Sequence, residues 1–445
     1  MSKFARNLTL FVVVYTCVEG FVINLSGSSK ISHVYKDMLL MLLYASVFIT
    51  QPGNVLPNSH ALRSTKPALF IFGALVITFL AVPGSNFLAG IVAVKQRLFY
   101  IPLLAVAYYF IRDEEDVRKL YLILVVSSIP VCLFGLYLHN KGPGELQRLG
   151  GSYAHVFYTA QNKLQSGSYW RVPSTFNSSG QFGAYLLFHT ILASALLMRR
   201  QLSRKWTIFV VGAQMLMILA IFVSGSRTPL LLLGACVSLI LIFARQLRKA
   251  VMWVLFGYIT LALGFAYLGA GVADRFSTLL DPANTIGRFQ ETYFGQLFIG
   301  RLLENPLGMG LGRATLGARH VLPSDQAPIM VESYYGLLSY EMGWLGLLAF
   351  AWATIAIAIA TLRMRRQIRN PATMILWAAL AVYVLVNIFT FPIGSGLDSS
   401  PINTYFWFSL GAAAKLADLE RYRYIVFLQE QAAAKKIQQA AAAFR

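Results

Sequence analysis

At 445 residues the chain has the length of about three soluble domains of ~150 residues. Its residues are 57% hydrophobic and only 13% charged, with a mean hydropathy of +0.60. Apolar runs of about twenty residues, each long enough to cross a ~30 Å hydrocarbon layer as a helix, exclude a soluble enzyme, a disordered chain and a disulfide scaffold. A β-barrel is excluded because its strands are alternating segments of ~10 residues, whereas these runs are continuously apolar. The expected fold is an all-α polytopic membrane protein.

In chain order the predicted spans cover about 7–25, 33–50, 67–83, 86–111, 119–138, 180–198, 206–223, 228–244, 250–271, 332–361, 372–392 and 402–415, roughly twelve in all. Lys3 and Arg6 ahead of the first run imitate a signal peptide, but no small-residue cleavage site follows, so the run reads as a retained helix. With the N-terminus in the cytoplasm every short inner connection is basic: Arg63 and Lys66; Arg112, Arg118 and Lys119; Arg199, Arg200, Arg204 and Lys205; Arg245, Arg248 and Lys249; Arg363, Arg365, Arg366 and Arg369. That pattern explains most of the formal net charge of +20, from 38 Lys and Arg against 18 Asp and Glu. The clusters lack the contiguous basic face with interleaved aromatics of a nucleic-acid module, so no nucleic-acid partner is expected.

Two long segments, about 139–179 and 272–331, then fall outside, and loops this long are usually functional. Residues 1–415 are expected to form one bundle, and 416–445 a cytoplasmic helical tail near the anionic leaflet. No internal repeat is visible. Cys17, Cys132 and Cys236 lie in apolar stretches without CxxC spacing and read as packing residues.

Some cations stand where topology does not require them. Lys95 and Arg97, in ValAlaValLysGlnArgLeuPheTyrIlePro, lie near the outer end of the fourth span. A buried charge there marks a function unless the side chains snorkel to the headgroups. Arg227, in ValSerGlySerArgThrPro, occupies a tight outer turn, where it either serves a function or is merely solvated while Ser226 and Thr228 cap the next helix. From Gly287 to Gly312 the apolar spacing at 289, 293, 297, 298, 302 and 303 predicts an amphipathic helix lying on the membrane, with Arg288 on its opening turn. The series Gly308, Gly310, Gly312 after Pro306 either lets backbone approach a ligand or is ordinary loop. Glu332 opens the tenth span, either as a favourable charge on the helix dipole or as a general base facing a cationic pocket. Glu341, deeper in the span, reads as a packing or hydrogen-bonding group. The six His have no zinc-binding spacing, and Asp274, Asp281 and Asp398 are isolated, so no metal or other cofactor is expected.

In this order, the LysGlnArg-x4-Pro stretch at 95–102, the SerGlySerArgThr turn at 224–228, the Arg-led amphipathic segment and AsnProLeuGlyMetGlyLeuGly before a span with GluMetGlyTrpLeuGly resemble the bacterial O-antigen ligase and Wzy-type polysaccharide polymerase superfamily. Ligases typically carry a HisAsn pair where this chain has Glu332–Ser333, so it is more similar to the polymerase branch. His320 could substitute, but its surroundings read as loop. The resemblance implies a glycosyltransferase of the bacterial inner membrane, with its site facing the periplasm and undecaprenyl-diphosphate-linked glycan as donor and acceptor. It implies that Arg97, Arg227 and Arg288 hold the diphosphate, a set to which Lys95 and Arg301 are added.

The reaction expected is attack of an acceptor sugar hydroxyl on the anomeric carbon, with inversion. Glu332 would take the proton and arginines, Arg288 among them, would answer the charge on the departing diphosphate without a metal. Tyr334, Tyr335, Tyr169 and Trp170 are candidate acceptor-stacking faces. The bilayer and a chain-length regulator protein are the other expected partners. Two alternatives stay open: a ligase delivering glycan to lipid A core or protein, and a flippase or other transporter of lipid-linked glycan, which would want paired broken helices in the two halves.

Overall fold

The computed structural model describes residues 1–27, 30–50, 57–81, 86–150, 170–246, 305–322, 331–394 and 396–443, with scattered positions between 252 and 303 and at 329. Among these residues every regular element is helical. Seven helices are long and apolar enough to cross a membrane, or eight if one bent pair is a single span. Twelve is therefore not reached among the described residues, and the ninth expected span, 250–271, lies largely outside them.

The first expected span is broken. Helix α1 (Lys3–Tyr15) meets α2 (Glu19–Leu25) at 67°, and the strap 170–178 packs into the bend, where Thr175 Oγ1 donates to the Cys17 carbonyl at 2.6 Å. Only glycine fits at position 20, since a Cβ there would lie 2.5 Å from the Thr175 carbonyl oxygen. Helix α3 (Lys30–Thr50) carries Lys36 and Asp37, two charges within an apolar run. Lys36 is buried, donates to Glu19 at 2.8 Å and sits 5.0 Å over the Tyr100 ring, while Asp37 pairs with Lys95.

After α4 (Lys66–Thr78), the expected span 86–111 is also two helices, α5 (Phe87–Leu98) and α6 (Leu103–Phe110). Pro102 at the head of α6 has no N–H to continue the ladder. Helix α7 (Glu114–Lys141) starts on an Asp113 cap with three acidic residues in its first turn, and α8 (Gly144–Leu149) gives the expected 139–179 loop a short helix of its own.

Helices α9 (Ser179–Arg199), α10 (Arg204–Ser224), α11 (Arg227–Phe243), α12 (Tyr334–Met364), α13 (Pro371–Thr390) and α14 (Ile402–Ala443) complete the bundle. The expected last span and tail are one uninterrupted helix, packed through Glu420 and exposed over most of its length beyond. Its close approach to α6 needs Gly411, where a Cβ would lie 2.0 Å from the Leu104 carbonyl oxygen.

One end of the bundle gathers the basic connections. There Arg6 bonds the Phe110 carbonyl and Asp116, Arg199 pairs with Glu114, Arg365 reaches the Phe243 carbonyl, and Glu420 receives the amides of Arg369 and Asn370. The opposite end holds the starts of α9, α11, α12 and α14.

Candidate functional site

At that opposite end the glycine-rich segment 306–312 plugs a break in α12. Gly343 leaves helical geometry with φ of 59° and ψ of −152°. The backbone groups freed there are taken up by the inserted segment: Met309 and Gly310 amides donate to the Tyr340 and Glu341 carbonyls at 2.8 and 3.1 Å, and the Trp344 amide donates to the Pro306 carbonyl at 3.0 Å. Gly308, Gly310 and Gly312 have φ of 79°, 94° and 86°. A Cβ at 308 would lie 2.6 Å from Glu341 backbone and one at 312 would lie 2.5 Å from Ala89 backbone. The close backbone approach allowed by the series is thus made to the protein itself.

The break aims Glu341 at the next stretch of loop. Its Oε1 accepts the Ala314 amide at 2.6 Å, the Thr315 amide at 2.7 Å and the Thr315 hydroxyl at 3.0 Å, and its Oε2 pairs with Arg97. The following amide, Leu316, donates to Asp398 Oδ2 at 3.0 Å. Two buried carboxylates, one from α12 and one from the turn before α14, therefore fix three consecutive amides, and Leu316 is set into the wall of a cavity.

That cavity, of about 340 Å³, is where α9 and α11 begin. Ser178 caps α9 by accepting the Gln181 amide at 3.2 Å. Ser226 stands at the N-cap of α11 but makes no side-chain cap bond; its hydroxyl instead donates to the Ser179 carbonyl at 2.9 Å, stitching the two helix starts together. Gly183 permits the approach, since a Cβ there would meet Pro229 and Ser226 at 2.8 and 2.9 Å. Two N-terminal dipole ends thus converge on one space, with Arg171 and Arg227 in its lining. Arg171 reaches the Ser226 hydroxyl at 3.4 Å from the strap, which is anchored by Ser174 on Val131 and Val172 on Val223. The far wall is the end of α13 with the turn beyond: Asn387, Thr390, Gly394, Gly396 and Ser399. Among the described lining there is no carboxylate, so the surface is cationic on one side and neutral hydrogen-bonding on the other.

The residues expected from sequence are divided by this geometry. Arg227 lines the cavity. Arg97 does not: it is 2% exposed and spent on Glu341, because a guanidinium enclosed by apolar helices needs an anion from the protein. Lys95 is held by Asp37. Tyr334 is 1% exposed and packs edge-on to Phe350, and Tyr335 hydrogen-bonds Thr354, so neither ring offers a face to an outer acceptor. Trp170 packs on the small cluster around Leu138 and Leu146. Glu332 is exposed, ahead of the Ser333 cap of α12, and is not part of the described wall. Arg288, Arg301 and Tyr169 lie outside the described residues. Sequence reasoning missed Arg171 and the setting of Asp398. Arg171 carried a faint signal, an Arg-x-Pro close before the Asn-Ser-Ser that opens α9.

Burial pushes the Asp398 carboxyl from 3.8 up to about 7, with the Leu316 amide and Arg97 pulling against that rise and Glu341 adding to it. No cluster of three metal-ligating side chains occurs among the described residues. No family model matches the chain, and no curated protein matches it.

Proposed function

We propose that the cavity between α9 and α11 binds the diphosphate of a polyprenyl-linked glycan and that the protein transfers that glycan to a sugar hydroxyl, elongating lipid-linked repeat units. The observation carrying this reading is the convergence of two helix N-termini with Arg171 and Arg227 on one space at the end opposite the basic connections. Guanidiniums pair bidentately with phosphate oxygens, and helix N-termini add amides and a positive potential that strengthen as charge builds on a departing diphosphate. A volume of about 340 Å³ suits a diphosphate with its first sugar, the neutral wall at Asn387, Thr390 and Ser399 facing hydroxyls. The basic connections at the opposite end support a periplasmic position for this one.

The reading is tested with purified full-length protein and a lipid-diphosphate-linked repeat unit. Arg227→Ala and Arg171→Ala should each cut donor binding and transfer by tenfold or more at unchanged folding. Lys should rescue poorly, since it keeps the charge but loses the planar fork. Binding and transfer at wild-type levels in both Ala variants would remove the cavity from the reaction.

A further inference from the structure

Displacement at the anomeric carbon needs a group to take the hydroxyl proton, and the described cavity wall offers none. One carboxylate stands directly behind it. Asp398 lies in the turn Gly396–Asp398, and the residues flanking it, Gly396 and Ser399, both line the cavity, as does its hydrogen-bond partner Leu316. It is 5% exposed, enters no ion pair among the described residues, and uses only Oδ2 in the Leu316 contact. Its other oxygen, Oδ1, takes no part in that contact. Beyond that one amide the carboxylate is not neutralised by an ion pair among the described residues, and buried carboxylates beside a cationic cleft concentrate at reaction centres.

We propose that Asp398 is the general base of the transfer, receiving the acceptor hydroxyl's proton on Oδ1 from the cavity side. The assignment rests on the glycosyl-transfer reading above. In the step, the acceptor oxygen bonds to the anomeric carbon while the bond from that carbon to the diphosphate oxygen breaks. The electron pair leaves on the polyprenyl diphosphate between Arg171 and Arg227, and the hydroxyl proton passes to Asp398, which returns it to solvent. The charges around Asp398 suit this cycle. Arg97 on α5 and Glu341 on α12 form one neutral pair near it, the Tyr334 phenol lies beside that pair, and Arg171 and Arg227 line the same cavity as its neighbours Gly396 and Ser399. A carboxyl pushed up to about 7 by burial is matched to accept and release a proton at neutral pH.

The experiment measures donor binding and single-turnover transfer of the full-length protein in nanodiscs, from pH 5.5 to 9, for wild type, Asp398→Asn, Asp398→Glu and Glu332→Gln. Asn keeps an acceptor oxygen for the Leu316 amide, so a purely structural role would be preserved in Asp398→Asn. The expected result is donor binding within about twofold of wild type and transfer reduced ~10²–10⁴-fold. Wild-type transfer should rise with pH through about 7 as the carboxyl ionises, a limb that the Asn variant's residual rate should lack. Glu332→Gln should keep wild-type rate and profile, and Asp398→Glu should recover part of what Asn loses. Transfer in Asp398→Asn within tenfold of wild type, or an unchanged acidic limb, overturns the assignment. So does a Glu variant no better than Asn. Should Glu332→Gln alone lose transfer, the base is Glu332. Wild-type protein that neither binds nor transfers the lipid-diphosphate glycan sinks the glycosyl-transfer reading itself, and the assignment with it.

Discussion

The Arg97–Glu341 pair allows a sharp comparison, because its two members are unequally supported. Glu341 accepts from the Ala314 amide and from the Thr315 amide and hydroxyl in addition to Arg97. Arg97 has only Glu341: among the described residues its Nε and Nη1 are buried without a hydrogen-bond partner. Removing Glu341 therefore leaves a buried cation without the one anion it bonds and frees two amides as well, whereas removing Arg97 leaves an anion still held by three donors. Breaking a buried pair costs about 3–5 kcal/mol, and each buried amide left unpaired about 1–3 kcal/mol more. Glu341→Met should thus approach the ~5–15 kcal/mol that is a protein's whole stability, and Arg97→Met should stay near the lower end of the pair's cost. The double variant still strands the two amides but removes the uncompensated charge, so it should melt above Glu341→Met. Thermal unfolding followed by size-exclusion fluorescence in mild detergent reads the order, at about 2–4 °C per kcal/mol for chains of 150–250 residues and less for a longer one. Glu341→Met melting with wild type, or above Arg97→Met, would refute the account. Arg97→Met that melts with wild type yet loses donor binding would return Arg97 to the substrate site.

Gly343→Ala should abolish well-folded protein, since φ is 59° and the Cβ would lie 2.0 Å from the Pro306 carbonyl oxygen, while Gly212→Ala, with nothing within 4 Å, should be neutral or slightly stabilising by thermal shift. The three native cysteines are buried, so single cysteines at Gln201 and Glu332 give a clean topology test. A membrane-impermeant thiol reagent on intact cells should label position 332 and spare 201, and the reverse would invert the orientation. In cells, Arg227→Ala should leave single repeat units on their carrier, as expected for a polymerase; accumulation of long carrier-linked polymer would instead favour a ligase.

What could be read from sequence follows from how local each determinant is. An apolar run long enough to span a bilayer is a property of twenty adjacent residues, so α7, α9, α10 and α13 fall near their expected bounds. The breaks are not local. Gly343 is an ordinary helix glycine until Pro306–Gly310 arrives to take its free backbone groups, and α1 and α2 part only where the strap at 170–178 wedges between them. The cations divide for the same reason. Arg97 and Arg227 both looked like charges a membrane protein would avoid, but Glu341 faces one and a cavity faces the other, which is a fact about residues far apart in the chain. Asp398 gave no motif because a lone carboxylate between small residues is chemically silent in one dimension. Its setting comes from Glu341, which fixes the two amides before Leu316 and so brings the third to Asp398. A residue whose environment is built by another buried charge is legible only after that charge is placed, and the structural pair at Arg97 and Glu341 is therefore a precondition of the candidate site although neither residue lines it.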